Sequence, residues 1–112
     1  MEETNMLTWI YLIIAGLFEV VWSSFMKLSR GFTVLPYTIA TVVGMIISFV
    51  LLAKATSQID LAIAYPVWTG IGAVGAVLAG VVLFREHLSL TTMMFVGLLI
   101  ISIVGIKVTS GR

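Results

Sequence analysis

Glu19 is the only charged side chain between Met6 and Met26, a stretch long enough to cross a bilayer. An ionisable group at the centre of a membrane helix costs at least ~2.5–3.5 kcal/mol, and such groups line ion or substrate paths or pair with one another. Glu19 is therefore the first candidate for the working group. At helical spacing, Ala15, Gly16, Trp22 and Ser23 share its face. The small residues leave room for a ligand or for a close helix. Trp22 lies too deep for an interfacial belt and is expected to border the same cavity.

Further along, Tyr65, Trp68 and Gly72 fall on one helical face, followed by Ala76 and Ala79. A carboxylate flanked by aromatic rings suits a cation, because the acid supplies charge and the rings supply π faces. Tyr65 lies near one end of its span and also fits interfacial anchoring. Thr41, Gly44 and Ser48 form a narrow small and polar stripe. Thr41 and Gly44 fit plain helix packing equally well. Ser48 is nearer mid-depth, where it can donate a hydrogen bond to a carboxylate and hold Glu19 in place. Gly70 and Gly72 weaken their helix and let backbones approach, so a bend is expected there. A bend gives the span two shapes, which an alternating-access device can use. Pro66 frees the carbonyl of Ala62 by removing one helical hydrogen bond.

These side chains must be positioned by membrane helices. The chain is 61% hydrophobic and 10% charged, with a mean hydropathy of +1.20. A span needs ~20 apolar residues to cross ~30 Å of hydrocarbon. Four stretches qualify, approximately 7–26, 34–53, 61–84 and 91–108. The expected fold is an all-α membrane protein, a single four-helix transmembrane domain over residues 1–112. Little chain remains for a soluble domain or nucleotide-binding loop, so ATP-driven work is not expected. The acidic Met-Glu-Glu start, followed by three further spans, argues against a signal peptide. The absence of cysteine excludes disulfides and thiolate metal sites. The lone His87 reads as a solvated loop residue. No cofactor or metal is expected, and a net charge of +1 gives no reason to expect nucleic-acid binding.

The connections Lys27–Thr33, Lys54–Asp60 and that beginning Arg85-Glu86-His87 are short. They predict helices that run up and down, each packed antiparallel to its neighbour. On the side of the N-terminus, side A, the basic residues are Lys54, Lys107 and Arg112; side B holds Lys27, Arg30 and Arg85. The positive-inside rule needs a bias, and here there is none. Small numbers can balance by chance. The alternative is a chain that inserts both ways round, with opposed copies assembling into one unit. Four helices are few for enclosing a water-lined path, which favours a dimer. The last span, with Gly97, Ser102 and Gly105, reads as a packing helix that can seat a second copy. Lys107 near its end fits snorkelling to the headgroups.

Gly16-Leu17-Phe18-Glu19-Val20-Val21-Trp22, then Lys27, Gly31-Phe32, Ala64-Tyr65 and Trp68-Thr69-Gly70-Ile71-Gly72-Ala73 resemble the small multidrug resistance transporters over nearly the whole chain. Trp22, the Trp68–Ala73 run and Gly105-Ile106-Lys107 resemble the guanidinium-exporter subtype. The quaternary-ammonium subtype has a glycine at the Trp22 position and a serine at Thr69. Pro66, Met26-Lys27-Leu28-Ser29 and Ser102 depart from the subtype's pattern. The resemblance implies an antiparallel, dual-topology homodimer in the bacterial inner membrane that exports small organic cations in exchange for protons. It implies that Glu19 of both subunits is the shared proton and substrate site. Trp68 and Ser48 would hydrogen-bond and orient it, Gly16, Trp22 and Tyr65 would line the pocket, and Tyr65 would contribute to gating.

The chemistry is consistent without the resemblance. Guanidinium is planar, cationic and matched to bidentate contact with a carboxylate. Desolvation disfavours a charged carboxyl and a neighbouring cation favours it, so proton and substrate compete for one group. Competition at a site that faces alternate sides gives antiport. No covalent step is needed, so the chain is not read as an enzyme. The alternatives are a broad exporter of hydrophobic quaternary ammonium and aromatic cations, a cation channel, or a non-transporting membrane scaffold.

Overall fold

The computed structural model describes residues 2–110, so Met1 and Arg112, counted above in the acidic start and on side A, lie outside the described residues. Among those residues the chain forms α1 (Glu2–Leu28), α2 (Leu35–Thr56), α3 (Leu61–Val82) and α4 (Leu90–Thr109). Each is long and apolar enough to cross a membrane. Helices are the natural outcome, since hydrocarbon offers backbone polar groups no partner outside the segment.

Most helices run beyond the apolar stretch that marks them, because the backbone ladder continues once the chain leaves the hydrocarbon. α3 is the exception, stopping at Val82, short of the expected Phe84. Local chemistry sets the ends. Buried Ser29 closes α1: its Oγ donates to the Met26 carbonyl at 2.6 Å and accepts the Phe32 N–H at 3.1 Å. Its own carbonyl accepts from Thr33 and Val34. The chain then turns through left-handed Arg30, Gly31 and Phe32, with φ of 51°, 72° and 66°. Of these only glycine adopts that region freely. Pro36 sits in the first turn of α2, where its missing N–H is not needed. Ser89 caps α4 by accepting from the Thr92 N–H.

The helices lie in a row, α2–α1–α3–α4, with only a narrow contact between α2 and α3. The molecule measures 44 × 34 × 18 Å, a slab rather than a closed bundle. Each helix touches its sequence neighbour, but α3 packs more broadly on α1 than on α2. The reason is the small residues that let α1 and α3 approach closely. A Cβ added at Gly16 would meet the Ile71 side chain, one at Gly72 the Glu19 carboxylate, and one at Gly75 Val20. These pairings advance together along both helices, so α1 and α3 are parallel. Against α2 the order reverses, Ala15 meeting Ser48 and Trp22 meeting Gly44, so those helices are antiparallel.

The packed core, including Leu12, Ala15, Ala55, Ile59, Ala64 and Val67, sits toward side A. Lys54 and Lys107 reach the rings of Tyr11 and Trp9, at 5.8 and 4.6 Å, at that same end. Lys27 pairs with Glu86 at the other. None of the described residues of α4 is buried. Its apolar side chains, and much of α2, face outward, as in a chain whose surroundings are lipid or another membrane helix.

Candidate cation site at Glu19

Glu19 leaves α1 toward α3 and its carboxylate lies against Gly72. Any larger residue at Gly72 would occupy the space the carboxylate fills. Glu19 Oε1 is buried and has no hydrogen-bond partner among the described residues. An unsatisfied acceptor of this kind is costly, about 1–3 kcal/mol and more for a charged group, so it calls for an explanation.

The glycines expected to bend α3 also serve its packing. The helix is unbroken from Leu61 to Val82 through Pro66, Gly70 and Gly72. Gly72 admits Glu19, and a Cβ at Gly70 would meet Ile103 of α4 at 2.7 Å. Both act as seats for neighbouring side chains. Gly16 is also a seat, filled by Ile71, rather than open pocket wall.

Ser48 and Trp68 come together, but neither binds Glu19 here, which corrects the expected roles. Ser48 Oγ donates to the Ala15 carbonyl at 2.7 Å and accepts Trp68 Nε1–H at 3.0 Å. A hydroxyl has one proton and an indole has one N–H, so both donors are in use. The bridge ties α1, α2 and α3 at one level and fixes the plane of the Trp68 ring. Thr41 bonds its own helix at Tyr37, and Gly44 receives Trp22, so the rest of the α2 stripe is packing.

From Trp68 a row of rings crosses the site. Phe49 lies 5.7 Å from Trp68 and 6.4 Å from Trp22, and Tyr65 lies 5.4 Å from Trp68. Trp22 thus faces α2, one turn from Glu19, which faces α3. Its Nε1 is buried without a partner among the described residues. Tyr65 is half exposed at the outer end of the row. Phe49 is the residue that inspection of the sequence passed over. Its signal was available: it is the one aromatic residue in the aliphatic stretch Met45–Leu52 and it adjoins Ser48.

Within one helical turn of each other the chain thus places an unpartnered carboxylate oxygen on α1 and the rings of Trp22 and Trp68. A carboxylate and ring faces suit a compact cation with N–H donors. Among the described residues no three His, Cys, Asp or Glu side chains gather as metal ligands.

The family described as Small Multidrug Resistance protein matches residues 7–99. The guanidinium exporter of Yersinia pseudotuberculosis is 45% identical over 104 residues, covering 93% of this chain and 100% of that protein. That of Citrobacter freundii is 42% identical, covering 93% and 99%. The similarity spans Glu19, Gly72 and every ring of the row, so with four membrane-capable helices the chain belongs to the Small Multidrug Resistance family.

Proposed function

We propose that the protein exports guanidinium and small substituted guanidinium ions across the bacterial inner membrane in exchange for protons, with both competing for Glu19. The observation that carries this reading is the buried, unpartnered Glu19 Oε1 seated against Gly72, one helical turn from Trp22 on α1 and with Gly72 one turn from Trp68 on α3. A proton satisfies that oxygen, and so does a cation that donates hydrogen bonds, but not both together. Guanidinium offers planar paired donors that match a carboxylate and a flat face that stacks on rings. The names carried by the relatives support this choice of substrate.

The working unit in this reading is an antiparallel homodimer. The slab leaves the Glu19 corner on an open row of four helices, and a second copy supplies the missing wall and a second Glu19. The balanced basic residues support opposite insertion of the two copies. Alternating access then exposes the shared site to one side at a time. Turnover requires no covalent step, which sets the protein apart from enzymes.

The test is Glu19→Gln in proteoliposomes. It keeps the side-chain volume and removes the titrating group. The variant should form the same oligomer and lose proton-driven guanidinium uptake. Proton-driven uptake that survives the substitution would sink the shared-site mechanism.

A further inference from the structure

We propose that Glu86 and Phe84, with Ser23 and Ser24, form a second, outer site for the transported cation at the side-B end of the α1–α3 seam, and that Lys27 is a tethered occupant which substrate displaces. This rests on the transport reading above and extends it outward from Glu19.

The seam carries matched spacing on two parallel helices. Glu19, Ser23 and Lys27 follow at intervals of four on α1; Gly72, Ala76 and Gly80 do so on α3. Glu19 lies against Gly72 at one end, and the Glu86 carboxylate lies over Gly80 at the other. The two carboxylates are separated by two helical turns, roughly 12 Å along the axis at ~1.5 Å per residue. Between Lys27 and Gly80 a cleft of about 100 Å³ opens, lined by Ser23, Ser24, Lys27, Gly80, Phe84 and Glu86 among others.

The lining has the chemistry of a cation site. Ser23 and Ser24 both donate to the Val20 carbonyl, at 3.1 and 2.7 Å. Each hydroxyl oxygen therefore has only lone pairs left to offer. Glu86 contributes a carboxylate and Phe84 a ring face. The cation now present is the chain's own: the Lys27 ammonium pairs with Glu86 and lies 5.4 Å from the Phe84 ring. Carboxylate plus aromatic face is the same pairing proposed for the cation at Glu19.

Glu86 is held for this role. Its N–H donates to the Gly80 carbonyl at 2.9 Å, and the preceding Arg85 takes a left-handed φ of 55°. The pair is nevertheless weak. Lys27 and Glu86 side chains are 52% and 44% exposed. Exposed pairs contribute little, so a mobile cation displaces Lys27 readily. A transit site must be weak, since a cation that enters must also leave.

The experiment measures labelled guanidinium binding and proton-driven uptake by the full chain in liposomes. In a Glu19→Gln background, Lys27→Met should reveal residual low-affinity binding, and adding Glu86→Gln should abolish it. With Glu19 intact, Lys27→Met should lower and Glu86→Gln should raise the KM for guanidinium, each by up to about fivefold, the scale of an exposed ion pair. A pair that only holds helices together would move both variants the same way. Same-direction shifts, unchanged KM in both, or no Glu86-dependent binding overturns the proposal. The binding arm already lacks the Glu19 carboxyl, so its outcome is independent of whether Glu19 couples protons to transport.

Discussion

Ser48→Ala is the most direct test of how the site is positioned. The substitution removes one oxygen and leaves two buried partners. The Ala15 carbonyl already accepts the N–H of residue 19 within α1, so its loss is small. Trp68 is different, since Nε1 is a donor only and the residue is 6% exposed. A buried donor left unpaired costs about 1–3 kcal/mol. Hydrogen bonds between membrane helices average nearer ~0.6 and reach ~1.7 kcal/mol, because the unfolded chain in the membrane also finds partners. The expected loss is therefore about 1–2 kcal/mol. Reversible denaturant unfolding in bicelles, read by tryptophan fluorescence, measures it. Trp68→Phe supplies the control by removing the N–H while keeping an aromatic ring. In a double-mutant cycle, Ser48→Ala should add only a few tenths of a kcal/mol to Trp68→Phe, giving a coupling of about 1 kcal/mol. Strict additivity of the two substitutions would refute the bridge. The freed indole should also raise the guanidinium KM, because its plane is no longer set against Phe49 and Tyr65.

Other substitutions separate roles that the sequence leaves merged. Gly72→Ala should displace the Glu19 carboxylate, cost ~1–3 kcal/mol as overpacking, and weaken guanidinium binding about tenfold or more. Gly70→Ala meets the Cγ1–Cδ1 arm of Ile103 rather than Glu19 and should leave binding near normal; the reverse ranking in a binding titration would point to a bend. Trp22→Gly removes a ring packed on Phe49 and should admit bulkier cations. Uptake of tetrapropylammonium should rise relative to guanidinium, and equal transport of the two by the unaltered protein would exclude the guanidinium reading. Two lysines added between Lys54 and Asp60 should place side A in the cytoplasm in most copies and inactivate the protein alone. Activity should return when a variant biased the other way is co-expressed, whereas full activity of the biased variant by itself would indicate a parallel assembly.

The membrane class, the four spans and the isolated carboxylate were legible before any fold was known. Those are properties of composition along one strand of chain: hydrocarbon length sets the span, and an acid isolated among apolar residues stands out without any knowledge of its neighbours. The stripe Thr41, Gly44 and Ser48 was legible for the same reason, since helical periodicity alone puts those residues on one face, and all are buried. Tertiary structure decided who meets whom. Ser48 turned out to bond Ala15 and Trp68 instead of Glu19, because a hydroxyl with one proton is claimed by the nearest acceptor across the α1–α2 contact. Gly72 turned out to admit a carboxylate, and Gly70 an isoleucine, because the approach of helices gives a missing side chain its meaning. The Lys27–Glu86 pair joins residues 59 positions apart. No periodicity connects them; only the parallel alignment of α1 and α3, made possible by small residues along their seam, brings that lysine to that acid.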